Sequence, residues 1–428
     1  MAAVLAASMP AYTTGARGTR PLPGIVFHPA VSTIGDVHAL GTYIAERYPW
    51  HAATAVPRIR AMGVDWVREE FRADHLHSSA RRPYDFKRYD HVVRLEHAAG
   101  LRILGLLDYN NTFHRGDHVS MPGDELVSKT NDFIKYVTAV VGHYHNIIRY
   151  WQVWNEPDIE QRWKPRPDAN NYAYLLRRAY AAIKSVDPRD KVIMAGPTTG
   201  NDKRAVQFVY DVRRDRGRFD IVAFQPYTAI PGPGILAEVA ALHKLGKPVW
   251  FTEIGWPGQA GCAPCGTPMV QANFLSAIYL IAAVSAVNHC FWFDYRDAGI
   301  RSNYFDHFGL VEYNFQRKPS YNAFEIGRNL LDNSTLEGVA QVAPSVNLYR
   351  FQRGGSSFYA MWNYGYASES IRATWTQAFV NVESSTIQHV TGTYAGRLNM
   401  IMPALSVDYL VPPALNVRAE HNLNRIVP

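Results

Sequence analysis

Eight short apolar runs alternate with amphipathic helical segments over residues 21–331, and from 332 to 428 short runs of alternating polarity follow; together they predict a (β/α)8 TIM barrel carrying a small C-terminal β-sandwich. The runs lie at 24–28, 65–70, 101–107, 150–154, 191–195, 219–224, 248–252 and 290–293. Helical stripes fall between them. Val92, Leu95 and Ala99 share a face that Gly100 terminates. Phe133, Ile134, Val137, Val140, Val141 and Tyr144 form a second stripe. Tyr172, Leu175, Leu176, Ala179 and Ile183 form a third, ended by Asp187-Pro188. An open doubly wound sheet uses the same units, but no Gly-x-Gly-x-x-Gly or phosphate-loop signature follows any run. Beyond residue 331 the runs at 339–346, 348–353, 357–362, 371–379, 387–391 and 404–410 have little helical period and read as a sandwich packed on the barrel. Residues 1–20 read as a tail able to add an edge strand.

Composition narrows the class. The chain has 428 residues, 47% hydrophobic and 19% charged, which excludes a disordered or fibrous protein. The net charge of +7 is spread along the chain, without the basic runs of a nucleic-acid arm, so no nucleic-acid partner is expected. Three cysteines, Cys262, Cys265 and Cys290, make no disulfide framework; Cys262 and Cys265 are either a loop staple or two free thiols. The small apolar start, Met1 to Ala11, lacks a basic segment and is at best an atypical export signal. Residues 254–293 contain no Asp, Glu, Lys or Arg, yet their continuous apolar stretch, 274–287, falls short of the ~20 residues a membrane span needs. A buried barrel helix followed by a strand is expected there, and no integral membrane segment. His75 with His77, and His143 with His145, lack a further ligand at zinc spacing, so neither a metal nor another cofactor is expected.

The chemistry rests on two glutamates. Glu156 ends the apolar run at 150–154, within Trp154-Asn155-Glu156-Pro157; Glu253 ends the run at 248–252, within Thr252-Glu253-Ile254-Gly255-Trp256. In a barrel, residues at the C-terminal ends of strands point into the mouth. As the ends of strands four and seven the two face each other. Two facing carboxyl groups are what glycosidic cleavage needs: one keeps a proton for the leaving oxygen, and the other is ionised to attack carbon or to activate water. Aromatic residues, 13% of the chain, suit stacking on sugar faces.

These two motifs closely resemble the acid/base and nucleophile motifs of glycoside hydrolase clan A, and the chain looks more narrowly like family 39 and related bacterial exopolysaccharide glycosidases. Tyr180-Ala181-Ala182-Ile183-Lys184, Phe291-Trp292-Phe293-Asp294-Tyr295-Arg296-Asp297, Phe308-Gly309-Leu310-Val311 and Lys318-Pro319-Ser320-Tyr321 add to the likeness. The resemblance implies Glu156 as acid/base and Glu253 as nucleophile. It implies Asn155 on the sugar 2-hydroxyl, Arg68 and Tyr227 beside the nucleophile, and Trp292 under the reacting sugar. Gln225 departs from the pattern, standing where many clan members have His. From their strand-end positions His28, Asp108 and Tyr109 are further candidates to line the site. Trp163 and Trp256 are candidate sugar platforms; Trp154 is another, with burial behind Glu156 as its alternative.

The reading is a retaining β-glycosidase that cleaves a polysaccharide or oligosaccharide by double displacement, its partner a carbohydrate. Two alternatives are a glycan-binding protein on a barrel scaffold without turnover, and a transglycosylase using the same glutamates. An exported protein is expected from polysaccharide chemistry.

Overall fold

A computed structural model describes residues 25–76, 84–109, 121, 125–198, 203–229, 231–259, 266–299, 303–375, 380–383, 389–390, 396–402 and 405–411. The tail at 1–20 and the Cys262 and Cys265 pair lie outside the described residues.

The chain opens with β1 (His28–Thr33), then β2 (His38–Gly41), α1 (Ile44–Arg47), α2 (Ala52–Ala61), β3 (Trp66–Arg72), α3 (Ala73–Leu76), α4 (Lys87–Ala98) and β4 (Arg102–Asp108). It continues with α5 (Leu126–Tyr144), β5 (Tyr150–Val153), α6 (Ala169–Val186), β6 (Lys191–Met194), α7 (Lys203–Arg214) and β7 (Val222–Phe224). The barrel ends with α8 (Pro233–His243), β8 (Val249–Ile254), α9 (Pro268–Val284), β9 (Cys290–Phe293) and α10 (Pro319–Leu331). Strands β10 (Thr335–Ala343), β11 (Val346–Arg353), β12 (Ser356–Asn363), β13 (Glu369–Trp375), β14 (Val380–Glu383), β15 (His389–Val390), β16 (Gly396–Met402) and β17 (Ser406–Val411) complete it.

Strands β2 to β9 form one parallel sheet in the order β6-β5-β4-β3-β2-β9-β8-β7. A parallel bridge between Ile193 and Ile221 joins β6 toward β7 and closes the (β/α)8 barrel. The C-terminal part is antiparallel: a seven-stranded sheet ordered β1-β10-β11-β12-β17-β14-β15, and a two-stranded ribbon, β13 with β16. The first strand of the barrel is a correction. The apolar run at 24–28 leads into β1, which pairs antiparallel with β10 as an edge of the accessory sheet; the strand that starts the barrel is β2. Four residues, His38–Gly41, are too short a run for periodicity to single out.

The helices use the stripes read from the sequence. Tyr172, Leu175, Leu176, Ala179 and Ile183 of α6 are buried, the Asp168 carboxylate accepts the Asn171 N–H at the helix start, and the chain leaves the helix at Asp187. The Tyr172 hydroxyl donates to the Val153 carbonyl and accepts from the Ala195 N–H, pinning α6 to the ends of β5 and β6. The 17-residue α9 is buried nearly all round between the barrel and α10, which accounts for its unbroken apolar sequence. Among the described residues no helix is long and apolar enough to cross a membrane.

Inside the barrel the side chains stack in layers, two residues apart along each strand. Trp66, Tyr150 and Trp250 make an aromatic floor with ring centroids 4.8 to 5.4 Å apart. Two residues on, Arg68, Gln152 and Thr252 make a polar layer in which Arg68 Nε donates to Gln152 at 2.9 Å and Gln152 donates to Thr252 at 3.1 Å. The faces between strands and helices are close-packed. The Trp151 ring lies over Gly105, where an added Cβ would meet ring carbons at 2.5 Å. Gly105→Ala should therefore overpack this seam and cost about 1–3 kcal/mol. Urea denaturation should show a lower midpoint with an unchanged slope.

Candidate active site

Two local irregularities bring the site together. On a regular strand Glu253, next to the inward Thr252, would point outward; the register between β8 and β9 shifts between Phe251 and Ile254, and Glu253 turns into the mouth. Past β5, Trp154 and Glu156 both hold left-handed backbone, with φ of 70° and 50°. Such φ values are uncommon outside glycine and collect at functional sites. Through this turn Asn155 reaches Arg68 while Glu156 also stays at the mouth.

Arg68 is the hub. Its Nη1 donates to Glu253 Oε2 at 2.6 Å and to the Tyr43 hydroxyl, and its Nη2 donates to Asn155 Oδ1 at 3.1 Å. The guanidinium is fully buried, while the Glu253 side chain keeps 12% of its surface open. Tyr43 donates to the same Glu253 oxygen at 2.7 Å, and Tyr227 donates to the other at 2.9 Å. Gln225 Nε2 donates to Asn155 Oδ1 at 2.8 Å. With two donors on its oxygen, Asn155 has its amide NH2 left as the group to offer an incoming hydroxyl.

Their surroundings push the proton affinities of the two glutamates in opposite directions. Burial draws the Glu253 proton affinity up, but the charge of Arg68 and the hydrogen bonds from Tyr43, Arg68 and Tyr227 outweigh it and hold the carboxyl below its ordinary range. Glu156 is pushed up to about 7, first by burial and then by the negative charge of Glu253, against the opposing charge of Arg162. Arg162 Nε sits 3.3 Å from Glu156 Oε2. The charge of Glu253 acts on Glu156, and neither carboxyl is sealed from solvent.

The other candidates divide. Asp108 ends β4 fully buried, opposite Arg72 of β3, its carboxyl raised by burial and by the charge of Glu70. Tyr109 is buried, edge-on to Trp154, with the Arg162 guanidinium 5.9 Å over its ring. Trp154 takes its packing alternative: it is buried, and its Nε1 donates to the Arg162 carbonyl. Trp163 is not an open platform; it is buried against Trp154 and Tyr172. Trp256 is half-buried with one face stacked on Phe274 of α9. Trp292 is a correction: it is fully buried toward α9, edge-on to Phe274, with Nε1 bonded to the Phe308 carbonyl. Strand alternation gives the mouth instead to the next residue, Phe293, whose ring meets Tyr43 at 5.2 Å. His28 is the second correction, because it stands exposed on β1 opposite Val339, in the accessory sheet.

Residues that the sequence reading passed over complete the site: Tyr43, Gln152, Arg162 and Phe293. Gln152 alone carried a local signal, a polar residue inside the apolar run at 150–154. His75 bonds Glu46 and His143 bonds Asp90. Among the described residues no group of three or more His, Cys, Asp and Glu is placed to hold a metal ion.

No protein-family model matches the chain, and no curated protein matches it in sequence. Solved structures do match. A family 39 glycoside hydrolase from the gut symbiont Bacteroides cellulosilyticus WH2 superposes with a TM-score of 0.71 at 20% identity, over 89% of this chain and 81% of that one. The chain shares its fold. A family 39 β-xylosidase from Caulobacter crescentus gives 0.61 at 17% identity over 91% and 98% of the two chains, and a family 30 endoxylanase from Clostridium papyrosolvens C71 gives 0.58 at 12% over 89% and 97%. The likeness spans barrel and accessory sheet together.

The folded protein binds the Glu156 proton more tightly than the unfolded chain, whose carboxyl has its ordinary value of 4.5. That group therefore favours folding below pH 4.5, and its contribution fades as pH rises through about 7. Glu156→Gln should match the parent in thermal stability in acid and exceed it above neutrality, by at most about 3 kcal/mol. Calorimetric scans across this pH range will check both limbs.

Proposed function

We propose that the protein is a retaining β-glycosidase acting on a polysaccharide or its oligosaccharides. The observation that carries the reading is the pair of opposed glutamates at facing strand ends, one holding its proton to about neutrality and the other kept ionised by a buried arginine and two tyrosines. In the first step a Glu253 oxygen attacks the anomeric carbon as its bond to the leaving oxygen breaks, and Glu156 gives its proton to that oxygen. In the second step Glu156, now ionised, takes a proton from water. The water oxygen attacks the same carbon and frees Glu253. Asn155 presents its amide to the sugar 2-hydroxyl, a contact that strengthens as positive charge develops on the ring. The β-xylosidase and endoxylanase among the structural neighbours make xylan and aryl β-xylosides the first substrates to offer. For a polymeric substrate the proposal extends to a location outside the cytoplasm.

Glu253→Gln should abolish turnover. Glu156→Ala should slow natural substrates by about 10²–10⁴-fold and spare aryl glycosides whose leaving group needs little protonation. NMR of the first-formed product should show the β-anomer. Equal, modest losses in both variants, or an inverted product, would sink the assignment.

A further inference from the structure

Arg162 is a cation placed against a carboxyl that has to be neutral when the reaction starts. Its backbone is fixed: the N–H donates to the Ile159 carbonyl, and the carbonyl accepts the Trp154 indole N–H at 3.0 Å. From there the side chain lies over the Tyr109 ring and brings Nε to 3.3 Å from Glu156 Oε2, with 44% of its surface open to solvent. Among the described residues its two terminal amino groups make no hydrogen bond to the protein, which leaves four N–H donors for something else. The other arginines of the mouth are engaged differently. Arg68 is fully buried on Glu253, Tyr43, Gln152 and Asn155, and Arg47 is bonded to the buried Asp294 and lies over the Tyr43 and Phe293 rings.

For catalysis as proposed above this placement is a cost. A guanidinium stabilises the ionised form of its neighbour, and it loses its partner when Glu156 carries the proton. The cost is removed if substrate brings its own negative charge to the open amino groups. Because Glu156 addresses the leaving oxygen, such a group sits on the leaving-group side of the scissile bond. The planar fork of a guanidinium matches a carboxylate in two parallel hydrogen bonds.

We infer that Arg162 binds the carboxylate of an acidic sugar on the leaving-group side of the cleaved bond, and that this contact frees Glu156 to hold its proton. The inference rests on the glycosidase reading and names its substrate class. Other groups facing Glu156 are Glu253 and Asp158, both of which favour its protonated form, and their contribution does not depend on the charge of the substrate.

The test uses the full chain with glucuronoxylan and the same polymer after chemical reduction of its carboxyl groups, together with acidic bacterial exopolysaccharides treated in the same two ways. The parent should show kcat/KM at least about tenfold higher on the acidic form. Arg162→Gln should bring the ratio of acidic to reduced substrate close to one, and Arg162→Lys should restore part of it, since a point charge replaces the fork. The basic limb of the pH profile should lie higher on the acidic form in the parent and coincide for both forms in Arg162→Gln. Equal rates on both forms in the parent, or a preference that survives in Arg162→Gln, overturns the inference while the Glu253→Gln result leaves the glycosidase reading intact. If no polymer or aryl glycoside is turned over, that reading fails by itself. Calorimetric binding of an aldouronic oligosaccharide against a neutral xylo-oligosaccharide of equal length then decides the role of Arg162: selective binding lost in Arg162→Gln supports it, and indifference to the carboxylate overturns it.

Discussion

The buried guanidinium of Arg68 is the constraint from which the site follows. A charge with no access to water is tolerated only when its donors are matched, and here Glu253, Tyr43, Gln152 and Asn155 meet them from three other parts of the barrel. Removing one partner of such an ion pair typically costs about 3–5 kcal/mol, because the other charge stays buried and unpaired. The same bonds fix the ionised state of Glu253 and the orientation of Asn155. The packing of the barrel mouth and the ionisation of Glu253 thus rest on the same bonds.

Around that hub, two carboxyl groups of the same residue type become unlike through their surroundings alone. Glu253 accepts three hydrogen bonds and faces a cation it cannot leave. Among the described residues the Glu156 carboxyl has one long contact, to a guanidinium that is nearly half exposed. The ionised carboxyl then raises the proton affinity of the other, so the asymmetry reinforces itself. The aromatic floor of Trp66, Tyr150 and Trp250 beneath the polar layer closes the barrel below it, so that water reaches these charges from the mouth side.

What could be read in the sequence, and what could not, follows from range. The strand runs and the helical stripes are local patterns several residues long, and Arg68, Asn155, Gln225 and Tyr227 lie on such runs or within three residues of their ends. Tyr43 escaped because its strand, His38–Gly41, is too short for a period to register. The Trp292 and Phe293 exchange is a matter of one residue: both are aromatic and adjacent, and only the strand's phase in the barrel decides which faces the mouth. Arg162 had no local mark at all, since its meeting with Glu156 depends on a turn through two left-handed residues. Trp163 looked available for the same reason; its burial is set by α6, which arrives later in the chain.

The short strand that hid Tyr43 also ties the accessory sheet to the site. At its foot, His38 is fully buried, stacked on Tyr279 at 4.0 Å and bonded through Nδ1 to Asp332 at 2.7 Å, in the segment that leads from α10 into β10. Asp332 also accepts the Val37 N–H, and the Ile34 N–H donates to the Ser334 carbonyl, so the entry to β2 is clamped by the start of the C-terminal sheet. At its head, two residues past β2, Tyr43 bonds the same oxygen of Glu253 that Arg68 does. Buried side chains run without a break from α9 and α10 to Leu336, Phe351, Phe358 and Tyr409 of the sheet. A four-residue strand has few ladder bonds of its own to set its height in the barrel. The sheet supplies that anchor, and the position of the Tyr43 hydroxyl against Glu253 inherits it.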